Sequence, residues 1–168
     1  MKRTNVKKLT MAGILCAVAV LGSLISFPMF GSRCAPVQHV VNILCAVLLG
    51  PWYGVGVAFT ASLLRNLLGL GSLLAFPGSM CGALLCGIVY WKLKNLPLTL
   101  LGEVFGTAVL GGLLSYPIAI IFMGQSAGSI AFYAYVVPFL ISTAAGAVLA
   151  GIIVVALRKA GALNRMAM

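Results

Sequence analysis

Gln38, His39 and Asn42 are spaced so that, on a helix, Gln38 and Asn42 at i,i+4 and His39 and Asn42 at i,i+3 lie on neighbouring faces. Arg65 and Asn66 form a second polar pair, Arg33 stands alone, and Glu103 lies at i,i+4 from Thr107. Hydrogen-bonded recognition is the chemistry open to such a set. With one acidic residue and one histidine among 168 residues, the chain cannot build a multi-carboxylate metal site or a Ser-His-Asp arrangement. It has no G-x-x-x-x-G-K-S/T loop to cradle a nucleotide. The residues therefore predict a binding protein and not an enzyme, with no cofactor of its own and no metal site.

These side chains must be held by elements whose solvent is lipid. The chain is 62% apolar and 7% charged, with mean hydropathy +1.18, which leaves too little charged surface for a water-soluble domain. A net charge of +10 raises nucleic acid as a partner. The basic residues flank apolar tracts, however, and stud no aromatic face, so no nucleic acid is expected. Six tracts approach the roughly 20 apolar residues that a crossing needs. They are Leu9–Phe27, closed by Pro28; Val37–Leu49, broken at Gly50-Pro51; Trp52–Leu68, ended by Gly69 and Gly71; Ser72–Trp91, with Pro77 near its start; Leu98–Met123; and Ile130–Leu157. A punctuated loop, Met29–Pro36, joins the first two. The first tract follows a basic leader but exceeds a signal-peptide core and lacks a small-x-small cleavage pattern, so it reads as a retained span.

Nine of the eleven basic residues fall in three clusters: Lys2, Arg3, Lys7 and Lys8; Lys92 and Lys94; and Arg158, Lys159 and Arg165. Positive flanks stay on the cytoplasmic side. An even number of spans separates successive clusters, so all three should face the cytoplasm, as should both termini. The expected fold is all-α: one six-helix membrane domain over residues 1–168 in a prokaryotic cytoplasmic membrane.

That topology gathers Arg33, Gln38, His39, Asn42, Arg65, Asn66, Phe76, Ser79, Tyr133 and Tyr135 toward the outer face, where all but Arg33 are candidate substrate contacts. The stripe of Gln38, His39 and Asn42 serves either as interhelical glue or as ligand contacts. Arg65 either snorkels to the interface or points inward with Asn66. Glu103 lies roughly 10 Å shallower than Arg65 by helical rise from the cytoplasmic side. It is expected to play a structural or coupling part, meeting a partner protein or Lys92 or Lys94. Pairs of small residues, Gly13 with Ala17, Gly78 with Gly82 and Gly102 with Gly106, would let helices approach closely. Cys34 reads as a free loop thiol. The other four cysteines lie in apolar tracts as small hydrophobes.

The motifs Pro36-Val37-Gln38-His39-Val40-Val41-Asn42, Gly50-Pro51-Trp52-Tyr53, Arg65-Asn66-Leu67-Leu68-Gly69, Ala75-Phe76-Pro77-Gly78-Ser79 and Gly102-Glu103-Val104-Phe105-Gly106-Thr107 closely resemble the ThiW family. Those are substrate-binding S components of energy-coupling factor (ECF) transporters, assigned to uptake of the thiazole precursor of thiamine. The resemblance implies six helices and an outward pocket roofed by the loop between the first two spans. It also implies a complex with a transmembrane scaffold subunit and two ATPase subunits, which would hydrolyse the ATP. Gly13 and Ala17 would correspond to the small-residue motif that packs against the scaffold, departing from its usual two alanines. The expected ligand is hydroxyethylthiazole or a close relative, since the outer half shows no carboxylate to meet the cation of thiamine. The alternatives are the pyrimidine precursor or thiamine itself, and, in another class, a stand-alone secondary carrier or channel.

In intact cells, a membrane-impermeant thiol reagent should label Cys34 and leave a cysteine introduced beside Lys94 untouched. Labelling beside Lys94 would overturn the six-span topology.

Overall fold

The computed structural model describes residues 3–29, 32–126 and 128–163. Lys2 and Arg165 of the basic clusters lie outside them. Helix α1 (Arg3–Gly22) runs through a 3-10 turn into a hairpin of β1 (Phe27–Met29) and β2 (Ser32–Cys34). Helices α2 (Pro36–Leu48), α3 (Pro51–Leu67) and α4 (Ala75–Leu93) follow. Next come α5 (Leu96–Phe105), a π-helical stretch (Gly106–Gly111) and α6 (Gly112–Met123), which run on as one rod, and then α7 (Val136–Lys159). The chain is an all-α membrane protein. Among the described residues, four helices are long and apolar enough to cross a bilayer: Asn5–Ile25, Ala75–Leu93, Leu96–Met123 and Val136–Lys159.

Breakers set most boundaries. Gly50 adopts φ 91°, a conformation glycine alone takes cheaply, and Pro51 starts α3 at once. Asn95 caps α5 by accepting from the Leu98 N–H at 3.1 Å, with Pro97 in the first turn. Pro77 does not delay α4, because it falls in the first turn, where backbone N–H groups have no intrahelical acceptor. Two expected boundaries shift. The loop Met29–Pro36 contains a strand, with Phe27 opposite Cys34 and Pro28 opposite Arg33, and it shortens the first helix. The last helix begins at Val136, because residues 132–135 form turns.

Helix α2 is the hub. It has 13 residues, about 20 Å of rise, less than the hydrocarbon thickness. Nearly all of it from Gln38 to Leu48 is buried, since α1, α3, α4, α5 and α7 all pack on it. One core cluster joins Ile43, Val47, Cys86, Ala150 and Val154, and a second joins Leu15, Ala19, Val41, Cys45 and Val57. A helix enclosed on so many sides needs no lipid-facing length, which accounts for its shortness.

Helix α4 meets α5 and the π stretch along glycine. A Cβ on Gly106 would fall 2.7 Å from the Cys81 carbonyl oxygen, and one on Gly111 would fall 2.5 Å from Gly78 Cα. Residues at i,i+5 face one partner in a π turn and diverge in an α turn, so the π geometry lets both glycines reach α4. The expected small-residue pairs Gly78–Gly82 and Gly102–Gly106 thus serve this internal crossing. Gly13, by contrast, is exposed with nothing within 4 Å of a Cβ built on it.

The basic clusters gather at one end. Lys8, Lys94, Trp52 and Trp91 line one concavity there, and Arg158 Nη2 donates to the Tyr90 hydroxyl at 3.4 Å. Trp52 and Trp91 are exposed, at 80% and 63%, as in an aromatic belt at a membrane interface.

At Gly82 a Cβ would overlap Thr107 Oγ1 and lie 2.7 Å from Glu103 Oε1. Gly82→Ala should cost about 1–3 kcal/mol, the usual range for overpacking, and lower the melting temperature in detergent. An unchanged melting curve would refute the close crossing.

Candidate functional site

The end of the bundle away from the basic clusters holds a buried polar chain built from four helices. Arg65 Nη1 donates to Gln38 Oε1 at 3.4 Å, Gln38 Nε2 donates to Asn42 Oδ1 at 3.1 Å, and Asn42 Nδ2 donates to Glu103 Oε1 at 2.9 Å. His39 Nδ1 lies 2.9 Å from the same Oε1, and Thr107 Oγ1 donates to it at 3.2 Å. Asn42 Nδ2 also reaches the Ser79 carbonyl oxygen at 3.1 Å, tying in α4. Ser79 Oγ is shared with Ser62 Oγ at 2.9 Å and reaches the Ala75 carbonyl at 2.7 Å. Glu103 is wholly buried, and its Oε2 has no hydrogen-bond partner.

Glu103 therefore does not pair with Lys92 or Lys94, one of the alternatives the sequence left open. Its depth offset from Arg65 is bridged by the side chains of Gln38 and Asn42, one helical turn apart on α2. Lys94 instead places Nζ 5.0 Å from the centre of the Tyr90 ring. The expectation that no carboxylate stands among the outer polar residues also needs correction, because His39 and Asn42 reach down to one.

Beside this chain lies a cavity of about 30 Å³, walled by Arg33 and Ala35 of the hairpin region, Gln38 and His39 of α2, Arg65 of α3, Ala75, Gly78 and Ser79 of α4, Thr107, and Phe139 and Ser142 of α7. That volume holds a water or two. A heterocycle needs the walls to part. Arg65 is 2% exposed and does not snorkel, and its Nε–H has no acceptor. Asn66 packs over it: Nδ2 donates to the carbonyls of Ser62 and Ser72 at 2.8 and 3.1 Å, folding the α3–α4 loop against the helix end. Gly71 makes this possible, since a Cβ there would lie 3.2 Å from Arg65 Cβ.

Of the residues read from the sequence as substrate contacts, Gln38, His39, Arg65 and Ser79 line the cavity, as does Arg33. Asn42 stands behind it with its amide bonded on all three sides. Asn66 holds the loop, and Phe76 packs its ring 5.6 Å from that of Phe59. Tyr133 is 57% exposed, its ring edge-on to Phe132, and Tyr135 is buried in an apolar cluster with Leu74 and the cavity-lining Phe139. Sequence reasoning missed Phe139 and Ser142, which share one face at i,i+3 near the start of α7. That spacing was legible, but nothing local marked the face as pointing at α2.

Cys34 also differs from expectation. It is 1% exposed, with Sγ 3.4 Å from the Pro138 carbonyl oxygen, and burial pushes its thiol pKa up. The thiol-labelling reporter for the end expected to face outward is therefore a cysteine at exposed position 133, with native Cys34 reacting slowly.

A second concavity, about 700 Å³ and apolar, lies between α1 and α3, floored by Ala12, Gly13, Cys16, Ala17, Gly56 and Val57. It is remote in kind from the polar chain and contains the small-residue face of α1.

Residues 9–160 match the family described as thiamine-precursor transporter protein (ThiW). The chain belongs to the ThiW family. It is thus a transporter of a thiamine precursor and not an enzyme, a multi-pass protein of the cell membrane with a small-molecule substrate. No curated protein matches it. Among the described residues, no three His, Cys, Asp or Glu side chains group in a way that could hold a metal ion.

Because Asn42 is satisfied internally, Asn42→Ala leaves Glu103 Oε1 and the Ser79 carbonyl each short of a donor. It should lower detergent stability by about 1–3 kcal/mol. A variant with wild-type thermal stability would show that this amide is dispensable to the bundle.

Proposed function

We propose that this ThiW protein is the substrate-capture S component of an ECF-type importer, taking up hydroxyethylthiazole or a close relative through the cavity at His39 and Arg65. The observation that carries the reading is the division of labour between the two concavities. One is small, opens at Arg33, and carries Gln38, His39, Arg65 and Ser79 in its walls. The other is an unfilled apolar groove along the small face of α1. A chain without a nucleotide-binding loop does not itself hydrolyse ATP, and the groove at Gly13 and Ala17 suits close approach of a scaffold helix whose own partners are two ATPase subunits.

The cavity walls favour a thiazole over thiamine. Two arginines line them and no carboxylate does, so a thiazolium cation would meet like charge. Nδ1 of His39 is taken by Glu103, leaving Nε2 for a ligand hydroxyl. Ser142 Oγ accepts from the Ala35 N–H at 3.0 Å and keeps its own proton to give to a ring nitrogen. The Phe139 ring supplies an apolar wall. In this reading the basic end faces the cytoplasm and the polar end faces outward.

Purified protein should bind hydroxyethylthiazole, and His39→Ala should weaken that binding by about 1–3 kcal/mol. Gly13→Leu or Ala17→Leu should keep the affinity and abolish ATP-dependent uptake. Full uptake by both leucine variants would remove the groove from the interface. Uptake without partner ATPases would favour a stand-alone carrier.

A further inference from the structure

Among the described residues, the guanidinium of Arg65 is a poorly compensated buried charge. It is 2% exposed, lines the polar cavity, and has one acceptor, Gln38 Oε1, at the long distance of 3.4 Å. Its Nε–H has none. A guanidinium carries several N–H donors and keeps its charge, so burial demands a counter-charge or a full set of acceptors. The chain contains a single acidic side chain. That residue, Glu103, is not among the cavity walls, and its Oε1 is held by His39, Asn42 and Thr107. Arg33, exposed at the hairpin, adds a second positive charge to the same walls. Water in the cavity could accept the Nε–H but could not neutralise either charge.

We infer that the cavity takes a ligand bearing an anionic group, a carboxylate or a phosphate ester, with Arg65 as its main contact and Arg33 at the mouth. This deepens the thiazole reading and rests on it for the heterocycle, while the anion preference rests on Arg65. A carboxylate or phosphate oxygen against Arg65 supplies both the missing acceptor and the missing charge, in the geometry that a guanidinium fork favours. A neutral alcohol supplies only the acceptor. The ring of the same ligand falls toward Phe139 and Ser142 across the cavity.

Four probes titrated against the wild-type protein in detergent test this: hydroxyethylthiazole, its phosphate ester, methylthiazole carboxylate and inorganic phosphate. At least one anionic thiazole should bind about fivefold or more tighter than the neutral alcohol. Arg65→Gln should erase that preference in the folded, monodisperse fraction. A smaller preference in the wild type, or tighter binding of the alcohol, overturns the inference and leaves the thiazole reading standing. Binding of inorganic phosphate with no binding of any thiazole keeps the anion site and overturns the thiazole reading. Binding of none of the four overturns both. Should Arg65→Gln fail to fold, the wild-type panel decides alone. Arg65→Lys, which keeps the charge and loses the fork, should retain part of the preference.

Discussion

Glu103 is the point on which the bundle turns. In a helix bundle surrounded by lipid, a buried carboxylate is tolerated only where donors converge on it, since a bare polar group there costs several kcal/mol. Here the donors come from His39 and Asn42 on α2 and from Thr107 one turn along its own rod. That fixes the height of α2 against α5. Sliding either helix by one turn, about 5.4 Å, would part both bonds from α2 at once. Because Asn42 also holds the Ser79 carbonyl and passes through Gln38 to Arg65, the same carboxylate sets the positions of α4 and α3.

Convergence on one oxygen requires the backbones to come close, and the small residues follow from that need. Gly82 sits against Glu103 and Thr107, and Gly146 on α7 leaves room for α2, where a Cβ would be 2.7 Å from His39 Cβ. The π stretch serves the same end by keeping Gly106 and Gly111 both turned to α4. Glycine at 82 and 146 thus goes with the polar chain, while Gly87 and Gly112 give Pro51 and Val136 room by ordinary close packing. The face of α1 at Gly13 and Ala17 obeys another logic, being small without anything packed against it.

Much of this was legible. The apolar tracts, the Gly50-Pro51 break and the basic flanks located the helices, because length, breakers and charge are local signals. The spacing of Gln38, His39 and Asn42 marked the right face of α2, yet periodicity could not tell which of the three meets a cavity and which meets a carboxylate. That depends on the tilt of α5, which no local pattern encodes. The partners of Glu103 escaped the sequence for the same reason: depth along a helix was readable, but the lateral reach of two side chains on α2 was not. Tyr133 and Tyr135 were read as one outward cluster, and the turns at residues 132–135 send them to different surroundings.

The cavity is bounded unequally, and this bears on how a ligand larger than its present volume is admitted. Its inner wall is the chain of bonds among Arg65, Gln38, Asn42, His39 and Glu103, whose loss would strand a buried carboxylate. Its outer wall, the hairpin and the start of α7, is joined by the Ala35–Ser142 hydrogen bond and by the weak Cys34 Sγ contact to the Pro138 carbonyl. A neutral hydrogen bond contributes about 1 kcal/mol net, while breaking a bond to a buried charge costs more. By hydrogen bonds alone the hairpin is therefore held less firmly than the inner wall, while α7 is also anchored by packing, with Gly146 pressed against Pro36 and His39 of α2.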